Sequence, residues 1–210
     1  NNNQSNQLTA ICGQRSRLLG SAENKFTVLD ELVAQIEPSD RKHSLFYCGE
    51  GSPDPELQTE DVVHERVILR ISRILHENGW ESSRFTSEEK TSDRSTIMKN
   101  FVNGDIDALV AIKVLDEGVD VPVCNTAFIT ASTKNPRQYV QRRGRVLRKF
   151  PGKTKAIIYD FVILPAVGSV GPHCQRLKKS ELERVDDFCK LALNRLHVEN
   201  AIDRLEMRDD

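Results

Sequence analysis

No stretch of the 210 residues reaches the roughly 20 apolar residues that a membrane-spanning helix needs. Nor does the start resemble a signal peptide. Cysteine is sparse: Cys12, Cys48, Cys124, Cys174 and Cys189 are an odd number, widely spaced, with no C-x-x-C. That argues against a disulfide framework or a zinc site, and for buried thiols in a reducing compartment. The expectation is a soluble, cytoplasmic chain with no membrane partner. An excess of one charge is missing too. Thirty Lys and Arg face 31 Asp and Glu, for a formal charge of −1. This is not the strongly basic balance of an autonomous DNA-binding domain, although a local positive groove is compatible with it. Gly152-Lys153-Thr154 looks like the end of a phosphate loop, but the glycine required five positions before Gly152 is Leu147. The tripeptide reads instead as a turn.

What is present is one sizeable core, with 38% hydrophobic residues. Residues 1–21 read as a polar linker or disordered end. Phe26, Leu29, Leu32, Val33 and Ile36 recur at helical spacing, so a helix is expected over 22–36, ending before Pro38. His43 to Cys48 is a buried strand. After a Gly- and Pro-containing loop, Val62 to Asn78 reads as a helix with Val63, Val67, Leu69, Ile71, Ile74 and Leu75 inside, closed by Gly79. Trp80 to Thr86 is a strand. A helix then opens near Ser92 and turns Ile97, Met98, Phe101 and Val102 to the core before Gly104. Apolar strands follow at 107–112, 123–131 and 154–162. Alternating helices and near-continuous apolar strands predict an α/β fold, a doubly wound parallel sheet with helices on both faces. This sheet domain is assigned to 22–163. Residues 164–210 form a linker and a C-terminal helical extension: Ser180 and Glu183 are expected to cap one long helix carrying Leu182, Val185, Phe188, Leu191, Leu196 and Ile202.

Two stretches carry chemistry. Gln138 to Arg148 reads QYVQRRGRVLR, four arginines among the apolar anchors Tyr139, Val140, Val146 and Leu147. Asn135 and Pro136 suit the start of a helix, and Gly144 is expected to let the backbone leave it. Arg145 and Arg148, three apart, each present a planar fork of donors that matches phosphate oxygens. By composition alone, such a cluster is more often a solvated face. Ala111 to Pro122, AIKVLDEGVDVP, follows an apolar strand with a loop carrying Asp116, Glu117, Gly118 and Asp120. An open α/β sheet places ligands at such strand ends. Gly118 permits close backbone approach, and Asp120 can accept hydrogen bonds from ribose hydroxyls. Alone, the same loop would read as an ordinary solvated turn.

The order Gln-Arg-x-Gly-Arg-x-x-Arg resembles motif VI of superfamily-two helicases and translocases, and LDEGVDVP resembles their motif V at its usual distance upstream. The strand at 43–48 resembles motif IV, more weakly. The resemblance covers about residues 22–162 and implies the second RecA-like lobe of a two-lobed ATP-dependent motor. The first lobe of such a motor carries the phosphate loop and the acidic box that hold ATP and Mg2+; this chain has neither an Asp-Glu-Ala-Asp nor an Asp-Glu-x-His run. The implied partners are that N-terminal RecA-like lobe and a nucleic acid. By the same resemblance, Arg145 and Arg148 stabilise charge on the transferring phosphoryl group, while Gly118, Asp120, Gln141 and Arg142 line the nucleotide cleft.

Gln141, where DEAD-box RNA helicases carry His, together with Ile112-Lys113, where they carry Thr-Asp, resembles the excision-repair and restriction-type DNA translocases. DNA is therefore expected over RNA. Lys113 reads either as a point charge on the nucleic-acid backbone or as a solvated residue at a strand end. Thr86 and Ser87 read either as phosphate contacts or as a cap or turn. A rival to the motor reading is a non-catalytic RecA-like scaffold or nucleic-acid-binding lobe, which would have no need for both arginines.

Overall fold

The structure, a computed structural model, describes residues 22–48, 67–86, 89–112, 121–130, 144–166 and 168–206. It divides into two compact units, 1–161 and 162–210. In the first, five parallel strands form one sheet: β1 (Ser44–Cys48), β2 (Ser82–Phe85), β3 (Ala108–Ile112), β4 (Thr126–Ile129) and β5 (Ile157–Asp160), in the order β2-β3-β1-β4-β5. Ser44 stands opposite Ala108 on one side and Thr126 on the other, and this register runs the length of β1. Every residue of β1 and β4 is buried, because both faces of a parallel sheet are covered. That is why these strands read as unbroken apolar runs.

Helices α1 (Glu23–Ala34), α2 (Val67–Glu77) and α3 (Thr91–Asn103) belong to this unit. Val67, Ile68, Ile71, Ile74 and Leu75 make the buried stripe of α2. Leu69, expected inside, falls on the far side of that stripe and is exposed. α2 closes as a Schellman turn: Gly79 adopts φ +72°, its N–H donates to His76 O, and Trp80 N–H donates to Leu75 O. Gly104 closes α3 in the same way. Of the four α3 residues expected in the core, Phe101 alone is fully buried; Ile97 and Met98 are half-buried and Val102 is exposed. α3 packs over β2, the strand at the sheet edge, where less apolar surface is available to cover.

The core is centred on Phe46 and Phe128, stacked at 4.1 Å between centroids, with the Trp80 ring edge-on to both. Trp80 Nε1 donates to Val33 O at 3.2 Å, tying α1 to the end of α2 and satisfying the one polar atom of the indole. The buried Asp107 carboxylate accepts from Glu81 N at 2.9 Å and pairs with Lys42 at 2.7 Å. It thereby fixes the entries to β2 and β3.

The second unit contains α4 (Pro172–Cys189) and α5 (Arg195–Glu206). The single long helix expected from a cap at Ser180 is not formed. Gly171 is the N-cap and Pro172 the first helical residue, as suits a ring that fixes φ and lacks an N–H. Ser180 lies inside α4 and donates to Leu177 O. The helix ends at Cys189, and Leu191, Leu193 and Leu196 beyond it are exposed, Leu193 completely. Among the described residues no helix is long and apolar enough to cross a membrane. None of the four described cysteines is in a disulfide, and three are buried.

Candidate functional site

Of the residues singled out from the sequence, Arg145, Arg148 and Thr86 lie within the described structure. Ser87, Lys113, Gly118, Asp120, Gln141 and Arg142 lie outside the described residues, as do Asn135, Pro136, Tyr139 and Val140. Residues 144–146 are helical and Leu147 turns out of the helix. Arg148 N–H donates to Arg145 O at 3.4 Å, so the two arginines sit at either end of one tight turn. The expectation that the chain leaves the helix at Gly144 is corrected. Gly144 is part of the helical turn, and a Cβ added there would meet nothing within 4 Å among the described residues. The turn is anchored by Val146, which is 1% exposed, whereas Leu147, the other expected anchor, is 52% exposed. Arg145 is half-buried and Arg148 exposed.

Lys153, from the tripeptide that imitates a phosphate loop, completes the turn's support. Phe150-Pro151-Gly152-Lys153 is a tight turn, with Lys153 N–H donating to Phe150 O at 3.0 Å and Gly152 at φ +80°. Proline then glycine at its two centre positions is the type II pattern, and the sequence reads as a turn at this segment. The turn brings the Lys153 side chain back beneath the arginines. Its Nζ donates to Val146 O, to Arg148 O at 3.0 Å and to Cys124 O at 2.5 Å, with Pro122 O at 3.5 Å. An ammonium has three protons, so the first three carbonyls take them and Pro122 shares one. Val146 and Arg148 supply carbonyls that a helix end leaves without intrahelical partners, where a cation is favoured. Pro122 and Cys124 belong to the turn that leads from the acidic loop into β4. The segment leaving the acidic loop and the arginine turn therefore converge on one amine, on the side where β4 begins.

Partial burial pushes the Lys153 pKa below its ordinary value, with the Cys124 sulfur pulling the other way. Burial pushes the Cys124 thiol up to about 12 against the opposing charge of Lys153. Cys124 is an inert packed thiol, not a nucleophile.

Thr86 follows β2 and is nearly buried. Its backbone N–H and its Oγ1 both donate to Glu89 Oε2, at 2.5 and 2.8 Å. Burial works to raise the Glu89 pKa. The hydrogen bonds from Thr86, with the charge of Arg84, outweigh it and hold the carboxyl below its ordinary range. A phosphate at Thr86 would have to compete with this carboxylate. Among the described residues, no group of three or more His, Cys, Asp or Glu is arranged to hold a metal ion.

The helicase conserved C-terminal domain profile matches residues 53–150, which include both the acidic loop and the arginine turn. The chain is 39% identical over 64 residues to the DNA 3'-5' translocase XPB2 of Sulfurisphaera tokodaii, covering 30% of this chain and 15% of that protein. It is 29% identical over 129 residues to the ATP-dependent RNA helicase DBP2 of Saccharomyces cerevisiae, covering 61% and 23%. The chain thus spans less than a quarter of the length of these curated relatives. Among solved structures, the C-terminal domain of the DEAD-box protein Dbp5 superposes with a TM-score of 0.53 at 17% identity, over 80% of this chain and 82% of that one. The strand order, the domain match and the relatives agree: the chain carries a helicase conserved C-terminal domain on a RecA-like sheet, similar to the C-terminal lobes of superfamily-two helicases.

Proposed function

We propose that this chain is the second motor lobe of an ATP-dependent DNA helicase or translocase, and that it hydrolyses no ATP by itself. The observation that carries the reading is the convergence of the acidic-loop exit and the arginine turn on Lys153. In such a motor ATP and Mg2+ are bound mainly by the N-terminal lobe of the same polypeptide, and the nucleotide supplies the phosphoryl group that is transferred. On this lobe, Arg145 and Arg148 offer two guanidinium forks one turn apart, a geometry suited to the charge that develops on a phosphoryl group in flight. Asp120 and Gly118 meet the ribose side of the nucleotide, and Gln141 and Arg142 order the cleft. Thr86, Ser87 and Lys113 belong to the nucleic-acid track. DNA is favoured by Gln141 and Lys113 and by the likeness to a DNA translocase. RNA is the second reading, supported by the likeness to an RNA helicase.

The test is paired, in a polypeptide that carries both lobes. Arg145→Ala and Arg148→Ala lower nucleic-acid-stimulated ATP hydrolysis by on the order of a thousandfold, the usual cost of removing an arginine finger. Affinity for DNA or RNA without nucleotide stays nearly unchanged. Near-normal hydrolysis with weaker binding, and a salt slope shallower by about one unit per lost phosphate contact, would move both arginines onto the nucleic-acid track. Turnover by the 210-residue chain alone would refute the half-motor reading.

A further inference from the structure

We infer that Lys153 is a positioning residue, whose ammonium group locks the arginine turn to the segment that leads out of the acidic loop. The inference rests on the functional reading above for its catalytic consequence, but not for the contact itself. Four carbonyls surround Nζ: Val146 and Arg148 on the arginine turn, Pro122 and Cys124 at the approach to β4. The two pairs come from segments more than 20 residues apart in sequence, and among the described residues no backbone hydrogen bond joins these two segments directly. All four partners are backbone atoms, so the lock is insensitive to which side chains stand at 122–124 or 146–148. It depends instead on a cation with several donors at 153. The amine is held there by its own tight turn, whose Gly152 has a positive φ.

Placement at this junction has a consequence for the arginines. Carbonyls at the end of a helical turn repel one another and repel a phosphate brought near them; a cation among them removes both effects. The same cation ties the segment that follows the acidic loop to the turn expected to meet the terminal phosphate. A misplacement of about 1 Å at such a site costs on the order of a hundredfold in rate. Lys153 would thus act through Arg145 and Arg148, without touching nucleotide.

The test uses Lys153→Met, which keeps the length and loses the charge and donors, and Lys153→Arg, which keeps both. In the 210-residue chain, Lys153→Met should speed amide exchange at Val146–Lys149 and Val123–Cys124 by about tenfold or more, as hydrogen bonds to a charged group are lost. Exchange in β1 and β3 should be unchanged, and Lys153→Arg should restore most of the protection. Unchanged exchange at 146–149, or loss of protection throughout the sheet, overturns the lock.

In the two-lobed protein, Lys153→Met should lower kcat with little change in the KM for ATP. On an Arg145→Ala, Arg148→Ala background it should cost nothing further. A loss of the same size on both backgrounds overturns the positioning role and leaves Lys153 merely structural. Near-normal hydrolysis in the double arginine variant would sink the arginine reading, and the exchange result would still decide the lock.

Discussion

The two units of this chain bury their residues by different means. In the sheet unit the interior is aromatic and aliphatic: Phe46, Phe128 and Trp80 contact one another, and Leu45, Leu109 and Val110 have no more than 1% of their surface exposed. In the helical unit, the buried residues of α4 are Glu181, Leu182, Arg184 and Cys189. Two of these four are charged and pair with each other, Arg184 donating to Glu181 Oε2 at 3.0 Å. Meanwhile Leu191, Leu193 and Leu196 stand in solvent. The first unit is organised by apolar burial, which is non-directional and grows with area. The second relies on a contact that must be geometrically right to offset the desolvation of its charges.

The largest expected effect tests the first half of that contrast. Phe128→Ala removes a ring stacked on Phe46 and on Tyr159, the latter at 4.7 Å. The cavity would lie at the crossing of β1, β4 and the Trp80 edge, where neighbours on three sides limit collapse. The sheet unit should lose about 3–5 kcal/mol, measured as a shift in urea midpoint with the slope unchanged. A loss below about 1 kcal/mol would mean that the aromatic stack is not what holds the sheet.

How legible these units were follows from the same physics. β1, β3 and β4 were readable because strands buried on both faces have no polar alternation to confuse with a helix. Gly79 and Gly104 were readable as helix ends because their left-handed φ is one that other residues rarely adopt. Leu69 and Val102 depart from the expected burial for a common reason: apolar character does not by itself imply burial, since apolar atoms contribute much of any protein surface. Ser180 misled because Ser-x-x-Glu fits a helix interior, where i and i+3 share a face, as well as it fits a cap. The true start was written in Gly171-Pro172.

At the site, the order of the arginines pointed to the turn that the fold supports on Val146. The sequence shows Lys153 only as part of a turn, because its significance lies in four carbonyls that converge only after folding. No side-chain pattern announces a convergence of backbone atoms. The one sequence signal was a Pro-Gly-Lys turn shortly after an arginine-rich stretch.

A smaller effect probes the helical unit and sharpens the comparison. The Glu181 and Arg184 side chains are 3% and 6% exposed, so Glu181→Ala strands a buried guanidinium without that carboxylate. The cost should be about 3 kcal/mol, the usual penalty for breaking a buried pair from one side. Replacing both partners, Glu181→Leu with Arg184→Leu, should recover most of that loss or exceed wild-type stability, since two desolvated charges disappear together. No such second replacement exists for Phe128, where the loss is volume and not charge. The readout is amide exchange along α4 in the 210-residue chain, so that unfolding of the sheet does not obscure it. If Glu181→Ala changes protection in α4 by less than about 0.5 kcal/mol, the pair is hydrated in solution and behaves as an exposed ion pair would. If the double variant is no better than the single one, the pair contributes a specific geometry that apolar packing cannot replace. The two units would then differ in what they tolerate as well as in what they bury.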